Sequence, residues 1–452
     1  MRRHHSRRAF LLGVGTVGAV AAAGCTEDAD DAEGGEPPAE ITPVDSEYDL
    51  SVDHDIEAWE RYDPAWVPPE TDPTDATFEI ETVVEGMEIP WDLEFAPNGE
   101  CFVSERVGRI SRYETGTLEA VTEPADVIDH ATAAGEDVGF DWWAGGSEGG
   151  LLGIALHPNY PDVPVLYAFY TYRAGSEDYR NRLVYYDVSD DDPEETVVVD
   201  GIPGHEIIHN GARLAFGPRN YLWVTTGDAG DPELSQDAAS LAGKVLRLEP
   251  DGTAPEDNPN FDDPRIFSYG HRNPQAISFL PDGTPIAAEH GDAARDEVHV
   301  LAPGENHGWP EAEDRDSYEG SDFDRPLINT GPEETWAPSG GVFYTGDAAP
   351  ALSNRFLVGG LLSQRLNVVG VYPDEAPSIG GTRYEGEWTH PDYDAVAHAL
   401  FEHELGRIRH VEQGPNGELY AITSNRDGRS QQPEEETFPR AGDDRLVRIV
   451  QA

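Results

Sequence analysis

The feature that most constrains the fold is a unit that recurs about every 60 residues from position 77 onward. Each copy has an apolar strand, a tight turn and a second apolar strand. The turn prolines of the first four copies follow one another at intervals of 60 to 63 residues, and the next interval is about twice as long. A degenerate copy at 343–346 fills that gap. The six turns contain Pro97, Pro158, Pro218, Pro281, Gly346 and Pro415.

Six copies of this unit predict an all-β, six-bladed β-propeller. A propeller repeats small four-stranded sheets around an axis, so few sheet edges remain exposed. Strand-favouring runs such as 221–226 and 419–423 follow the turns, and no long helical stripe competes with them. A stack of β-sandwiches is the alternative arrangement.

The repeat also predicts a functional site, because equivalent positions of successive blades meet at one mouth of the central channel. Polar or aromatic side chains stand eight to ten residues before five of the turns: Glu148, His209, Arg272, Trp336 and Arg407. Arginine suits carboxylates, tryptophan offers an aromatic face, and histidine can transfer a proton near neutral pH. Taken singly, each has a structural explanation, such as pairing with the many carboxylates. Their shared repeat phase favours a site for a planar, anionic ligand.

The charge of the chain excludes one class of partner. Thirty Lys and Arg stand against 88 Asp and Glu, which gives a net charge of −58. No nucleic-acid partner is expected, because phosphate binding needs a basic face. The acidic residues are spread along the sequence, and Lys244 is its only lysine. We interpret this composition as halophilic, with salt screening the repulsion between carboxylates.

The N-terminus predicts export. Arg7 and Arg8 precede a short apolar run and the pair Gly24-Cys25, a pattern that resembles a twin-arginine signal peptide with a lipobox. We therefore expect residues 1–24 to be a signal peptide and Cys25 to be lipidated. The protein would then lie on the extracellular face of the cell membrane and contact the membrane only through this anchor. A single uncleaved anchor helix is the alternative.

Two further expectations concern the segments that follow. Residues 25–76 are acidic and rich in proline, which predicts a flexible tether between the anchor and the propeller domain at 77–452. The second cysteine, Cys101, lies in a strand-like run and is expected to be a buried structural thiol.

Several short runs resemble, in the same order, motifs of the glucose/sorbosone dehydrogenase family, which includes soluble quinoprotein glucose dehydrogenases and aldose sugar dehydrogenases. Each run is weak evidence alone, but together they cover nearly all of the chain from about residue 85. They include Ile89-Pro90-Trp91, Ser104-Glu105-Arg106, Glu148-Gly149-Gly150, His209-Asn210-Gly211, Gly227-Asp228, Gly270-His271-Arg272-Asn273, Glu289-His290-Gly291 and Asn306-His307-Gly308-Trp309-Pro310.

The resemblance implies that pyrroloquinoline quinone binds over the channel mouth and that most of the ring residues contact it or the sugar. His209 matches the family's general base, and Asp228 matches the carboxylate that hydrogen-bonds this base. Arg272 matches the residue beside the quinone oxygen that becomes negative during the reaction. The other implied contacts to the cofactor or the sugar are Glu148, Asn273, Trp336, Arg407 and Arg409.

The resemblance also implies calcium at the edge of the cofactor, held by the carbonyl oxygens of Gly291 and Asp292. A second, structural calcium is suggested at Glu297 and the carbonyl of His307. Oxygen ligands in flexible geometry suit this ion.

The implied reaction is oxidation of the anomeric hydroxyl of an aldose to a lactone, with hydride transfer to the quinone and onward delivery to an extracellular electron acceptor that the sequence does not identify. The run 357–362 lacks the lysine that glucose-specific members place on the cofactor, and this difference favours the broader aldose subgroup. Two alternatives remain open. One is a calcium-dependent propeller lactonase, and the other is a binding scaffold of the cell envelope without catalysis.

Overall fold

A computed structural model describes residues 41–128, 147–176, 178–384, 388–427 and 438–452. Six small antiparallel sheets form a β-propeller, which confirms the predicted fold. The predicted signal peptide and Cys25 lie outside the described residues. No helix within the described ranges is long and apolar enough to cross a membrane.

Five blades have four strands each, and blade 5 has five. Blade 1 contains β2 Pro90–Phe95, β3 Cys101–Glu105, β4 Arg109–Glu114 and β5 Thr117–Thr122. Blade 2 contains β6 Leu151–Leu156, β7 Val165–Arg173, β8 Tyr179–Asp187 and β9 Thr196–Pro203. Blade 3 contains β10 Leu214–Phe216, β11 Leu222–Thr226, β12 Lys244–Leu248 and β13 Ile266–Tyr269. Blade 4 contains β14 Pro274–Phe279, β15 Pro285–Glu289, β16 Glu297–Val300 and β17 Ile328–Asn329.

Blade 5 contains β18 Pro338–Tyr344, β19 Arg355–Gly360, β20 Leu366–Tyr372, β21 Thr382–Arg383 and β22 Asp394–Leu400. Blade 6 contains β23 Ile408–Gln413, β24 Leu419–Thr423, β25 Arg445–Gln451 and β1 Phe78–Glu85. The single short α-helix of the described residues, α1, is Arg315–Tyr318. Short 3-10 helices cover Ile56–Ala58, Pro73–Asp75, Pro218–Asn220, Pro232–Gln236 and Pro350–Leu352.

The innermost strand of each blade lines the channel and contacts the innermost strands of its neighbours. Each of the six predicted turns joins the first and second strands of one blade. The inner strands are mostly buried, and β6 is buried over its whole length. They pack so closely that a Cβ on Gly153 would lie 2.1 Å from the carbonyl oxygen of Ala212 in blade 3. The repeat therefore predicted the number of blades and the turn that joins the first two strands of each blade.

Blade 6 is built from both ends of the propeller domain. Its outermost strand, β1, pairs antiparallel with β25, and Phe78 lies opposite Gln451. The first strand of the domain thus completes the sheet that the last strands begin, and the ring is closed by backbone hydrogen bonds.

Residues 41–76, which precede β1, contact the propeller at several points. Leu50 and Trp59 are buried in the cores of blades 2 to 4. The Arg61 guanidinium lies 3.0 Å from the Glu412 carboxylate at the end of β23. These contacts lie at the end of the channel where the inner strands finish. A few well-spaced apolar and charged side chains are enough to hold an otherwise acidic segment against the propeller.

The two cysteines were predicted to differ in environment. Cys101, in β3, is a free thiol with 1% of its surface exposed, which confirms the prediction for this residue. Burial raises the pKa of this thiol well above its ordinary value, so it has the character of a structural residue.

Candidate active site

Four of the five predicted mouth residues stand one to three positions before the first residue of an inner strand, and His209 stands five positions before it. His209 precedes β10 and has a φ of 56°, the left-handed region that non-glycine residues rarely adopt. Strain of this kind persists where the surroundings over-determine a conformation, and it is concentrated at functional sites. Here the His209 backbone N–H donates to the Glu148 carboxylate at 3.0 Å, which ties blades 2 and 3 together at the mouth.

His209 and Asp228 form a close pair. Nδ1 of His209 lies 2.6 Å from Oδ1 of Asp228, whose side chain is fully buried. The other carboxylate oxygen, Oδ2, accepts the indole N–H of Trp309 at 2.9 Å, and Gly230 N–H donates to Oδ1 at 2.8 Å. The carboxylate therefore fixes the proton of the imidazole on Nδ1. The other ring nitrogen, Nε2, remains to accept a proton from a ligand.

Arg272 and Asn273 lie next to this pair, on the turn that enters blade 4. The carbonyl of Arg272 accepts the backbone N–H of Asp228 at 2.8 Å. The Arg272 guanidinium lies over the Trp309 ring, 5.2 Å from its centroid. Asn273 accepts the Gly211 backbone N–H at 3.0 Å. Trp309 thus contacts both predicted catalytic groups, Asp228 and Arg272.

Arg407 and Arg409 converge on one buried carboxylate, that of Asp427. Nη2 of Arg407 lies 2.7 Å from Oδ2 of Asp427, and Nη2 of Arg409 lies 3.2 Å from the same oxygen. Burial lowers the pKa of Arg409 to about 9, an effect that Asp427 opposes and Arg407 and Arg106 reinforce. In this part of the site several arginines share one aspartate, so positive charge is in excess. An anionic ligand would balance that charge.

Trp336 has the predicted position before β18, and only 1% of its surface is exposed. The ring packs against Tyr384 at 6.1 Å, and its N–H donates to Glu334 at 3.0 Å. The structure therefore buries the indole between blade elements and does not present it as an open aromatic face. Equivalent backbone positions place the Cα atoms in a ring, but the side-chain direction depends on local packing.

The run that lacks the family lysine also contributes to the site. The carbonyl of Leu361 accepts Nη1 of Arg407 at 3.2 Å, and the neighbouring Leu362 is 52% exposed. An apolar side chain therefore stands in this run, which has no cationic residue to contact a cofactor.

The predicted calcium ligands occupy two separate places. Gly291 and Asp292 lie in the turn after β15, where the Asp292 side chain is 61% exposed and 3.4 Å from Arg272. Backbone carbonyls beside an exposed carboxylate are the oxygen donors that calcium prefers. Glu297 and the His307 carbonyl also lie close together, but the Tyr318 hydroxyl joins them at 3.2 and 2.7 Å. The first pair fits the predicted ion, whereas the second is already satisfied by the protein.

The residues predicted to hold the quinone show the unmet hydrogen-bonding capacity that such a ligand would satisfy. Nε of Arg272, Nδ2 of Asn273 and Nε of Arg409 are buried and have no hydrogen-bond partner among the described residues. Buried donors without partners are uncommon and call for a ligand or water. Three such donors among the predicted cofactor contacts fit a planar molecule that carries carbonyl and carboxylate oxygens.

The fold and this pocket define a class: a six-bladed propeller with a histidine–carboxylate pair and an arginine-rich anion pocket at one end of its channel. Residues 87–432 match the family model for glucose/sorbosone dehydrogenase. The chain belongs to the glucose/sorbosone dehydrogenase family.

Individual relatives agree with this assignment. An uncharacterised protein of Synechocystis is 30% identical over 376 residues, which cover 76% of this chain and 84% of that protein. Aldose sugar dehydrogenase YliI of Escherichia coli is 27% identical over 78% of this chain and 92% of its own length. The PQQ-bound aldose sugar dehydrogenase of Streptomyces coelicolor is 32% identical, with a TM-score of 0.63 over 85% of this chain and all of that one. The chain is thus similar to sugar dehydrogenases over most of the propeller.

Two residues of the site were missed from the sequence. Trp309 stands in one of the family-like motifs, but no role was predicted for it. Asp427 follows β24, the second strand of its blade, as Asp228 follows the second strand of blade 3. Acidic residues also end the second strands of blades 1 and 4, at Glu105 and Glu289. A comparison of this second repeat position across the blades would have found the buried carboxylates.

Proposed function

We propose that the protein is a pyrroloquinoline-quinone- and calcium-dependent dehydrogenase that oxidises the anomeric hydroxyl of aldose sugars to the lactone. The observation that carries the proposal is the 2.6 Å contact between His209 and Asp228 beside buried donors that lack partners. Two of the relatives are aldose sugar dehydrogenases, which supports the same substrate class.

In this proposal the protein binds and orients the sugar and the cofactor, and it accepts a proton from the sugar. Nε2 of His209 accepts the proton of the anomeric hydroxyl, and Asp228 stabilises the imidazolium that results. The quinone, when bound, supplies the two-electron chemistry by accepting the hydride. Arg407 and Arg409 would hold its carboxylates, Asn273 would donate to it, and Arg272 would place positive charge beside it. Glu148, which already holds the backbone of His209, is on the side where the sugar would enter. The electrons then pass to an extracellular acceptor.

The test is reconstitution of the full-length apoprotein in molar salt with the quinone and Ca²⁺, followed by a screen of aldoses with a redox dye. We expect dye reduction and lactone formation only when sugar, quinone and Ca²⁺ are all present. Hydrolysis of lactones with Ca²⁺ alone would instead identify a lactonase. Tight quinone binding without turnover of any aldose would identify a binding scaffold.

We also propose that the protein is exported by the twin-arginine route and anchored to the outer face of the membrane through a lipid on Cys25. The motif from Arg7 to Cys25 supports this proposal. Cys25→Ser leaves the signal readable but removes the lipid site, so the variant should move from the membrane fraction to the medium. Unchanged membrane association of this variant would refute the anchor.

A further inference from the structure

A second cluster of ionisable side chains lies inside blade 4, outside the proposed catalytic pair. It consists of His271 just before β14, Glu289 at the end of β15 and His299 in β16. Their side chains are between 0 and 4% exposed. Oε1 of Glu289 lies 2.8 Å from Nδ1 of His271 and 2.9 Å from Nε2 of His299. All three ligand atoms lie within 4.8 Å of one another, so a small shift would place them around one ion.

A third imidazole, that of His307, points to a ligand independently. The ring stacks on His271 with centroids 4.7 Å apart and meets His299 edge-on at 4.4 Å. His307 is 1% exposed, and neither of its ring nitrogens has a hydrogen-bond partner in the part of the chain that the structure describes. The Glu305 carboxylate lies 3.6 Å from Nε2 of His307, too far for a hydrogen bond. A buried imidazole without a hydrogen bond costs free energy unless something binds it.

The groups behind His271 and Glu289 are those that orient metal ligands. The second nitrogen of His271, Nε2, is 2.9 Å from the Ser268 hydroxyl. The second oxygen of Glu289, Oε2, accepts the backbone N–H of Arg272 at 2.6 Å and that of Asn273 at 3.3 Å. Ligating histidines and carboxylates in metal sites usually have such outer partners, which fix the direction of their lone pairs.

We propose that His271, Glu289 and His299 bind a divalent transition-metal ion of the zinc type. His307 and Glu297, whose Oε2 lies 3.3 Å from Nε2 of His299, are candidates for a fourth ligand. Two imidazoles and a carboxylate are ligands that Zn²⁺ accepts in tetrahedral sites, and a buried, closed site is typical of structural zinc. Nitrogen donors distinguish this set from the oxygen donors predicted to hold calcium.

The proposed ion would also stabilise the backbone of the proposed catalytic site. One oxygen of Glu289 faces the cluster, and the other holds the backbone of the turn that carries Arg272 and Asn273. An ion bound to the first oxygen would fix the carboxylate and thereby this turn. The role is structural, and it does not depend on the proposed sugar oxidation.

The experiment uses the full-length protein, stripped with a chelator and dialysed against ZnCl2 in molar salt that contains excess CaCl2. We expect one zinc ion per chain in the wild-type protein and a higher melting temperature than in the stripped protein. Glu289→Gln and His299→Gln should lose the stoichiometric zinc. The control variant, His398→Gln, changes a buried histidine of blade 5 and should retain it.

Two measurements on the wild-type protein keep the proposal testable if the variants fold poorly. Co²⁺ should give the visible absorption bands of a tetrahedral centre, and Zn²⁺ should slow hydrogen exchange at the amides of Arg272 and Asn273. The proposal is overturned if the wild-type protein binds no stoichiometric zinc. It is equally overturned if Glu289→Gln and His299→Gln, when folded, bind zinc as tightly as wild type, because the cluster would then be a hydrogen-bonded network only.

Discussion

The indole N–H of Trp309 donates to Oδ2 of Asp228 at 2.9 Å, while the face of the same indole lies under the guanidinium of Arg272. One side chain therefore orients both the carboxylate behind the proposed base and the cation beside the proposed cofactor. Trp309 acts through these two residues, and we regard it as a positioning residue.

Trp309→Phe removes one of the two contacts of Trp309 and keeps the other, because phenylalanine has an aromatic face for Arg272 but no N–H to donate to Asp228. A hydrogen bond to a charged group contributes about 1.5–3 kcal/mol, so kcat should fall about tenfold or more in the reconstituted enzyme. Quinone affinity should change little. The matched control, Trp388→Phe, alters a buried tryptophan outside the site and should turn over normally. Wild-type kcat in Trp309→Phe would mean that Asp228 needs no second partner.

His209→Gln tests the proposed base directly. General-base catalysis is typically worth about 10²–10⁴-fold, and turnover should fall on that scale. The variant should still bind the quinone and melt near the wild-type temperature, which titration and calorimetry would check. Asp228→Asn should lose less activity, because the base is disturbed but remains. Full turnover by quinone-loaded His209→Gln would exclude the mechanism and leave the fold unaffected.

Arg407→Ala and Arg409→Ala test the anion pocket. Each variant removes a charge-assisted contact of about 1.5–3 kcal/mol, which corresponds to a quinone Kd about 10 to 100 times higher. The structure adds a cost in stability, because the buried Asp427 carboxylate then loses one of the arginines that pair with it. Arg448→Ala, which removes an exposed arginine of the same blade, is the control. Unchanged quinone affinity with lower stability would show that the two arginines are purely structural.

The contact between Arg61 and Glu412 predicts a pH-dependent stability at the other end of the channel. Burial alone raises the pKa of Glu412, but the hydrogen bond to His410 and the charge of Arg61 outweigh it and lower the pKa to about 2. A carboxyl group with a lowered pKa stabilises the folded state above pH 4.5, and this contribution is lost as the pH falls toward 2.

Arg61→Met should therefore melt at a lower temperature than wild type at neutral pH, and the difference should shrink on acidification through this window. Arg448→Met breaks an exposed pair with Glu81 and should have little effect at any pH, because salt screens surface ion pairs. Equal melting curves for Arg61→Met and wild type would show that residues 41–76 contribute nothing through this contact.

The repeat predicted the parts of the site that depend on backbone position alone. The interval between turn prolines located the inner strands and placed His209, Arg272 and Arg407 at one mouth. It could not predict that Trp336 turns into the packed interior, because that direction depends on Tyr384 and Glu334. The acidic composition of 25–76 predicted a tether. Average composition could not reveal that two apolar side chains of this segment, Leu50 and Trp59, are buried against the propeller. Asp427 was missed because its partners, Arg407 and Arg409, are distant in sequence and belong to a different strand.

The pairing of β1 with β25 has a consequence for how the molecule is made. The partner of β1 is made after all the strands of blades 1 to 5, so blade 6 cannot be completed until those strands have left the ribosome. Until then β1 has an unpaired edge, and the separation between His209 in blade 3 and Arg407 at blade 6 is not yet set. Contacts between such distant parts of a chain form slowly. The anion pocket therefore acquires its final shape only when the two ends of the domain have met.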